Sequence, residues 1–328
     1  MSVEAPPPSP GTATGVIHDL GYRRYDGPRL GRSRIVAALT WHSFRSAFGF
    51  GRGARSKIVP VITFVALCLP AIVNAFAMSR GNARLISYDT YSPVLRALVM
   101  TIFVAVQAPE LVSRDLRSRV LPLYFSRPIR SGDYPLAKYI AFTAACLVMI
   151  EVPLLLLYVG SIVNVHGGAA VWAQTKALIP GLLVGVMWSV VLAAISLFLA
   201  SLTGRRGFAT GAVAIFFLLT YVLSQILLQV ETQNAINQGP GPVQVKGGPG
   251  GVIVNGRLLP VPTGEKVAGL FSPFTLFDGV RMWLGGTTRA DQVPKPGSFG
   301  AVYALVLLAI LALSLAGLFA RYRKARLA

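Results

Sequence analysis

Charge is scarce in this chain, and negative charge is scarcest. Of 328 residues only 13% are charged, with 12 Asp or Glu against 31 Lys or Arg. A soluble domain carries roughly 25% charged residues, so the composition excludes an ordinary water-soluble domain. Cysteine is nearly missing: Cys68 and Cys146 both sit in apolar runs. That excludes a disulfide framework and leaves them as small packing residues. His18, His42 and His166 are isolated and lack metal-ligand spacing. No G-x-x-x-x-G-K-[ST] occurs, so a phosphate-cradling loop for ATP is absent. The cluster KGGPGG, residues 246–251, lacks the Lys-Ser/Thr that would follow and reads as a flexible turn. No nucleophile–base constellation is visible. The chain is therefore not expected to be an enzyme, and it is expected to hold neither cofactor nor metal.

What it has in quantity is apolar surface: 54% hydrophobic residues and a mean hydropathy of +0.61. This is the profile of a polytopic all-α membrane protein with the lipid bilayer as its main partner. The formal charge of +19 fits cationic loops on one side of a membrane rather than a nucleic-acid partner. The first apolar run begins at Ile58, beyond the reach of a secretory signal's apolar core. Insertion into a bacterial inner membrane through the chain's own spans is expected. Arg outnumbers Lys 24 to 7, which is associated with high-GC bacterial genomes.

A membrane-crossing helix needs about 20 mainly apolar residues. Five runs qualify easily: 58–79, 139–163, 177–202, 208–230 and 298–320. A sixth, 91–112, carries Arg96 and Glu110 near its ends, where long side chains can snorkel to the interface. Six spans divide the chain into a tail and interfacial elbow helix (1–57), a transmembrane domain (58–320) and a basic tail (321–328). With both termini inside, segments 1–57, 113–138, 203–207 and 321–328 are cytoplasmic and hold 21 of the 31 Lys/Arg. That N-in, C-in topology obeys the positive-inside rule, and the reverse does not.

The stretch SRDLRSRVLPLYFSRPIRSGDYPLAK, residues 113–138, packs six Lys/Arg, two acids and three prolines between two apolar runs. Helical spacing over 107–121 predicts the acid-first pairs Glu110/Arg114 and Asp115/Arg119, with Pro122 ending the helix. Asp133 or Ser131 is positioned to cap the helix that enters the third span. A stop-transfer loop touching anionic lipid would account for the charge. It would not account for Leu121, Leu123, Tyr124, Phe125 and Ile129, which suit an apolar ridge ringed by charge and docking into a partner's groove.

Glu110 through Lys138 resembles the cytoplasmic coupling segment of ABC-2-type permeases, the membrane subunits of ATP-binding-cassette transporters. The shared pattern is an acid (Glu110), a basic-acidic pair (Arg114–Asp115), a leucine-rich turn (Leu121–Leu123), Ser126–Arg127–Pro128, then Tyr134 and Lys138. The six-span layout extends the resemblance over 58–320. It implies contact of Glu110, Arg114, Asp115, Arg117, Leu121, Leu123, Phe125, Ser126, Arg127, Pro128 and Tyr134 with a separate ATPase subunit that carries ATP and Mg. HDLGYRRYDGPRLGR, residues 18–32, resembles a segment preceding the first span in a bacterial subset of these permeases. There Tyr22, Arg23, Arg24, Tyr25 and Arg29 would lie beside the ATPase, or would be held by lipid headgroups. Residues 34–48 suit an elbow helix with a Trp41/Phe44/Phe48 stripe, from which Ile35 and Leu39 fall away. An importer-type loop (E-A-A, then Gly, then LP) is absent, which tilts the resemblance toward export.

Within the spans, Glu151 stands out, followed by Pro153. A carboxylate at bilayer depth costs about 2.5–3.5 kcal/mol on insertion scales. Either it lines or gates a path beside a Pro153 bend, or it locks its helix to a neighbour through Arg96 or Gln107. Asn74, Gln107 and Gln225 read as interhelical hydrogen-bond partners. In the outer segment 231–297, VIVNGRLLPV predicts a hairpin turning at Asn255–Gly256, while QGPGPVQVKGGPGG is too rich in Gly and Pro for regular structure. Residues 265–284 predict short interfacial or re-entrant helices. Ser272–Pro273–Phe274 resembles the proline stretch before the last span of ABC-2 permeases. This region is either an outer gate or a headgroup-level platform with Phe271, Phe274, Phe277 and Trp283 as belt aromatics.

The expectation is a permease half that pairs with a second copy or a related permease. The alternatives are a proton-coupled carrier using Glu151 and a non-transporting membrane scaffold.

Overall fold

The computed structural model describes residues 27, 31–81, 85–88, 91, 93–118, 129–165, 167–237, 245–248, 251–254, 257–260, 263–284 and 299–327. The chain divides into two units, Met1–Gly31 and Arg32–Ala328, and all that follows concerns the second.

Its elements are helical apart from three short strands. The helices are α1 (Arg32–Ala47), α2 (Arg55–Ser79), α3 (Pro93–Leu111), α4 (Ser113–Arg117), α5 (Asp133–Val163), α6 (Gly168–Ser201) and α7 (Arg206–Asn237). The strands β1 (Val245–Gly248), β2 (Gly251–Val254) and β3 (Arg257–Pro260) follow, then α8 (Thr263–Ala268), α9 (Pro273–Trp283) and α10 (Gly300–Leu327).

Five helices are long and apolar enough to cross a membrane: α2, α5, α6, α7 and α10. Each overlaps one of the five strong apolar runs, and most run on into the polar flank, by three residues at the start of α2 and by nine at the start of α6. The sixth run forms α3, of 19 residues. Direction alternates along the bundle. The start of α2, the end of α3, the start of α5, the end of α6 and the start of α7 meet at one end, through contacts described below. At the opposite end Tyr88 donates to Gln174 (3.0 Å) and Tyr158 pairs with Thr175 (2.8 Å).

Burial grades outward from α5 and α6, which pack on each other and on α1, α2 and α10. Their central stretches are 50% and 61% buried, against 17–28% for α2, α7 and α10. The outer helices show continuous apolar faces: Ile58, Val61, Ile62, Val65, Leu69, Ile72, Val73 and Phe76 of α2 are all at least half exposed. A stripe of that size in one soluble chain would be an aggregation site, whereas hydrocarbon covers it at no cost. The chain is a multi-pass membrane protein.

α1 is the elbow. Trp41 is exposed, yet its ring stacks on Phe44, Phe44 on Phe48, and Phe48 reaches Phe103 of α3. Leu39 falls away from that stripe, as its spacing suggested, and is buried with Ser43, Ser46 and Ala47 on a second face of the same helix. The turn into α2 uses Gly49 at φ +75°, where a Cβ would lie 2.6 Å from the Ser56 carbonyl oxygen.

Three local expectations are corrected. Helix 107–121 is not continuous, because it breaks at Val112 into α3 and α4. Asp133 does not cap α5: that position is Gly132, and the Asp133 carboxylate accepts from the Arg130 backbone N–H (2.9 Å) and from Arg32. The Gly/Pro-rich stretch contains β1, which pairs with β2 from Val245↔Val254 to Gly248↔Gly251. Backbone hydrogen bonding to a neighbouring strand needs no side chain, so glycine does not prevent it. The β2–β3 hairpin forms where predicted, with Val254 opposite Arg257 across Asn255–Gly256.

Candidate functional site

Two places concentrate polar side chains in this apolar bundle. The first is the end where α1, α4 and the close of α10 meet. Glu110, at the foot of α3, is bound by Arg52 (Nη1–Oε2, 2.7 Å) and by Arg206 at the start of α7 through its other oxygen. Arg52 also donates to Ser46 Oγ of α1 (2.6 Å). Asp115 of α4 accepts from Lys138 Nζ (2.9 Å) and from the Tyr134 hydroxyl, both on α5. Ser113 Oγ donates to the Ala200 carbonyl of α6 (2.8 Å). Asp133 takes a bidentate grip from Arg32 of α1 (2.5 and 2.6 Å), and these bonds raise the Arg32 pKa above its ordinary value. Each of the three carboxylates therefore joins at least two elements. A cleft of about 560 Å³ opens beside Glu110.

The basic partners of the expected helical pairs, the Arg114 side chain and Arg119, lie outside the described residues. Among those described, both Glu110 oxygens go to Arg52 and Arg206, and Asp115 turns to α5. Tyr134 is fully buried, with its ring against Tyr322 of α10 (5.1 Å) and under the Lys138 ammonium (5.3 Å). Arg117 is exposed on α4. Leu121, Leu123, Phe125, Ser126, Arg127 and Pro128 lie outside the described residues, as do Tyr22, Arg23, Arg24, Tyr25, Arg29 and the Arg114 side chain.

The second place is the middle of the bundle. Glu151, in α5, has both carboxylate oxygens buried and no hydrogen-bond partner among the described residues. It points at Gly185 of α6, where a Cβ would collide with Oε1. Arg96 of α3 is buried at 2% exposure, sits within electrostatic reach of Glu151, and lays its guanidinium 4.3 Å from the Trp188 ring centroid. Trp188 then stacks on Phe277 (4.8 Å) and meets Phe274 at a tilt (5.2 Å), both of α9. Stacking on an aromatic face suits a guanidinium held out of water.

The structure brings Arg96, Glu151 and Phe274 to one region linked by Trp188. Pro153 is buried two residues beyond Glu151, and Gln107 is buried lower on α3. Asn74 and Gln225 are not the interhelical ties expected of them. Asn74 Oδ1 accepts from the Leu85 and Ile86 backbone N–H groups of the loop after α2 (2.9 and 3.2 Å), and Gln225 is exposed on α7.

The region before α10 divides between its two readings. Phe271 and Trp283 are 48% and 45% exposed, as belt aromatics would be, but Phe274 and Phe277 are buried. α9 is a buried plug. Ser272 accepts the Phe274 N–H (3.3 Å) as its N-cap and Pro273 opens the first turn. Thr275 bonds the Gly269 carbonyl (2.6 Å), and Tyr303 bonds Lys266 O (2.6 Å).

Sequence reasoning did not find Trp188, Gly185, Arg52 or Arg206. Only three-dimensional proximity marks them, although an arginine pair bracketing a turn (Arg205–Arg206) was a usable signal. No group of three His, Cys, Asp or Glu that could hold a metal occurs among the described residues. The chain matches no protein-family model and no curated protein, so its reading rests on its own residues.

Proposed function

We propose that this chain is the membrane permease of an ATP-driven exporter of the ABC-2 type, working as a dimer with a second permease and with separate ATPase subunits. The observation that carries the reading is how the charged segment is fastened. Glu110 and Asp115 precede residues 119–128 and Asp133 and Lys138 follow them, and ion pairs anchor all four to helices of the bundle. A push delivered between these anchors would reach α3 and α5 together.

In this reading α3 is a sixth span, both termini are cytoplasmic, and the anchored end faces the ATPases in a bacterial inner membrane. Leu121, Leu123 and Phe125 fit an ATPase groove, and Arg127 orients them. ATP and Mg bind on the partner. Closing of two ATPases pushes the segment, and α3 and α5 carry the push to Arg96, Glu151 and the α9 plug. Arg127→Glu tests it: the variant inserts normally, retains ATP hydrolysis in the assembled complex and loses export. Unchanged export would count against the assignment.

One observation favours a second reading. A buried carboxylate with no hydrogen-bond partner among the described residues is what a proton-coupled carrier would use. Transport that follows a proton gradient and survives loss of any ATPase would select it.

A further inference from the structure

The cleft beside Glu110 has a composition that the ion pairs alone do not explain. Arg52, Arg55, Arg117 and Arg206 line it with Glu110 and Ser113, four cations to one anion among the described residues. Arg52 and Arg206 hold Glu110, whereas Arg55 and Arg117 are exposed on its wall. Both helices that begin at the cleft, α2 and α7, lack an acid in their first turn. Their N-terminal dipoles add positive potential, which the C-terminal end of α3 only partly offsets. Ser113 and Ser56 spend their hydroxyls on backbone carbonyls, so the anion-binding capacity lies with the arginines.

The surroundings tell which anion fits. α2 and α7 are both long enough to span a membrane, and the cleft sits at their first residues. Its flanks are exposed and apolar: Phe50, Ile58, Leu202 and Phe208 are all more than half exposed. Two cations clasp the neighbouring rings, Lys57 over Phe50 (5.9 Å) and Arg205 over Phe208 (6.0 Å). A basic hollow rimmed by apolar and aromatic side chains, at the depth where spans meet water, matches a molecule with a negative head and hydrocarbon tails. Guanidinium forks bind phosphate oxygens in pairs.

We propose that this cleft binds the phosphate group of an anionic membrane lipid. The inference requires only that the chain spans a membrane and does not rest on the permease reading. The bound headgroup would neutralise Arg55 and Arg117 and cross-link α2, α4 and α7 at the place where Glu110 already ties α3.

The test uses the full chain, stripped of lipid in mild detergent and mixed with equal phosphatidylglycerol and phosphatidylcholine. Bound lipid is counted by native mass spectrometry. Phosphatidylglycerol should be retained preferentially, and Arg55→Gln with Arg117→Gln should weaken that retention by roughly 25-fold, about fivefold for each arginine near an anionic surface. Both positions are exposed, and an unchanged melting temperature would verify that the variant folds. The distant pair Arg80→Gln with Lys176→Gln, exposed at the opposite end of the bundle, should have no effect. Equal retention of the two lipids, or an equal loss in the distant pair, would overturn the proposal. Displacement by excess inorganic phosphate, with no preference between lipids, would assign the cleft to a soluble anion and overturn the lipid source.

Discussion

Lys138 Nζ lies 2.9 Å from Asp115 Oδ2, so a residue after 119–128 grips a residue before it. Both side chains are largely buried, at 7% and 18% exposure, and the Tyr134 hydroxyl completes the acid's shell. Lys138→Met should lower stability by roughly 3 kcal/mol, because it leaves Asp115 buried without its cation. Asp115→Asn combined with Lys138→Met should recover most of that loss. Thermal unfolding in detergent reads both. Strictly additive losses would show that the two residues do not interact.

Gly185 makes room for Glu151. Gly185→Ala should cost about 1–3 kcal/mol by overpacking, since the new methyl meets the carboxylate. In a Glu151→Ala background the same change should be nearly free. If Gly185→Ala costs the same in both backgrounds, the two residues do not share the space described.

Trp188 is the hinge of the central cluster, touching Arg96 on one side and the α9 phenylalanines on the other. Trp188→Ala should destabilise by about 3–5 kcal/mol. Limited proteolysis after α8 should accelerate as the plug loosens. Ser272→Ala removes only the α9 N-cap and should cost about 1 kcal/mol. A Trp188→Ala protein that melts and is cleaved like the parent would contradict the plug.

How much of this was legible beforehand depended on the range of the interaction. Hydropathy depends on local composition, and it located α2, α5, α6, α7 and α10, though the helices run up to nine residues beyond the apolar runs. The Asn255–Gly256 hairpin was equally local. Acid partners were not, because Glu110 meets Arg52 and Arg206 from distant parts of the chain, and no spacing rule reveals them. The plug was misjudged in part for the same reason. Phe271, Phe274, Phe277 and Trp283 look alike in sequence, and only the packing of α9 against α6, α7 and α10 separates the buried pair from the exposed pair. Glu151 was conspicuous from its position alone, but Gly185 opposite it was one glycine among 33.

The central claim is that this chain works with a separate ATPase through residues 119–128. The most direct measurement is a tagged purification from native membranes under mild extraction, followed by an ATPase assay of the material that co-purifies. The account expects a stoichiometric ATP-binding-cassette ATPase, lost when Leu121, Leu123 and Arg127 are replaced together while membrane insertion is preserved. A chain that purifies without any nucleotide-binding partner would contradict it.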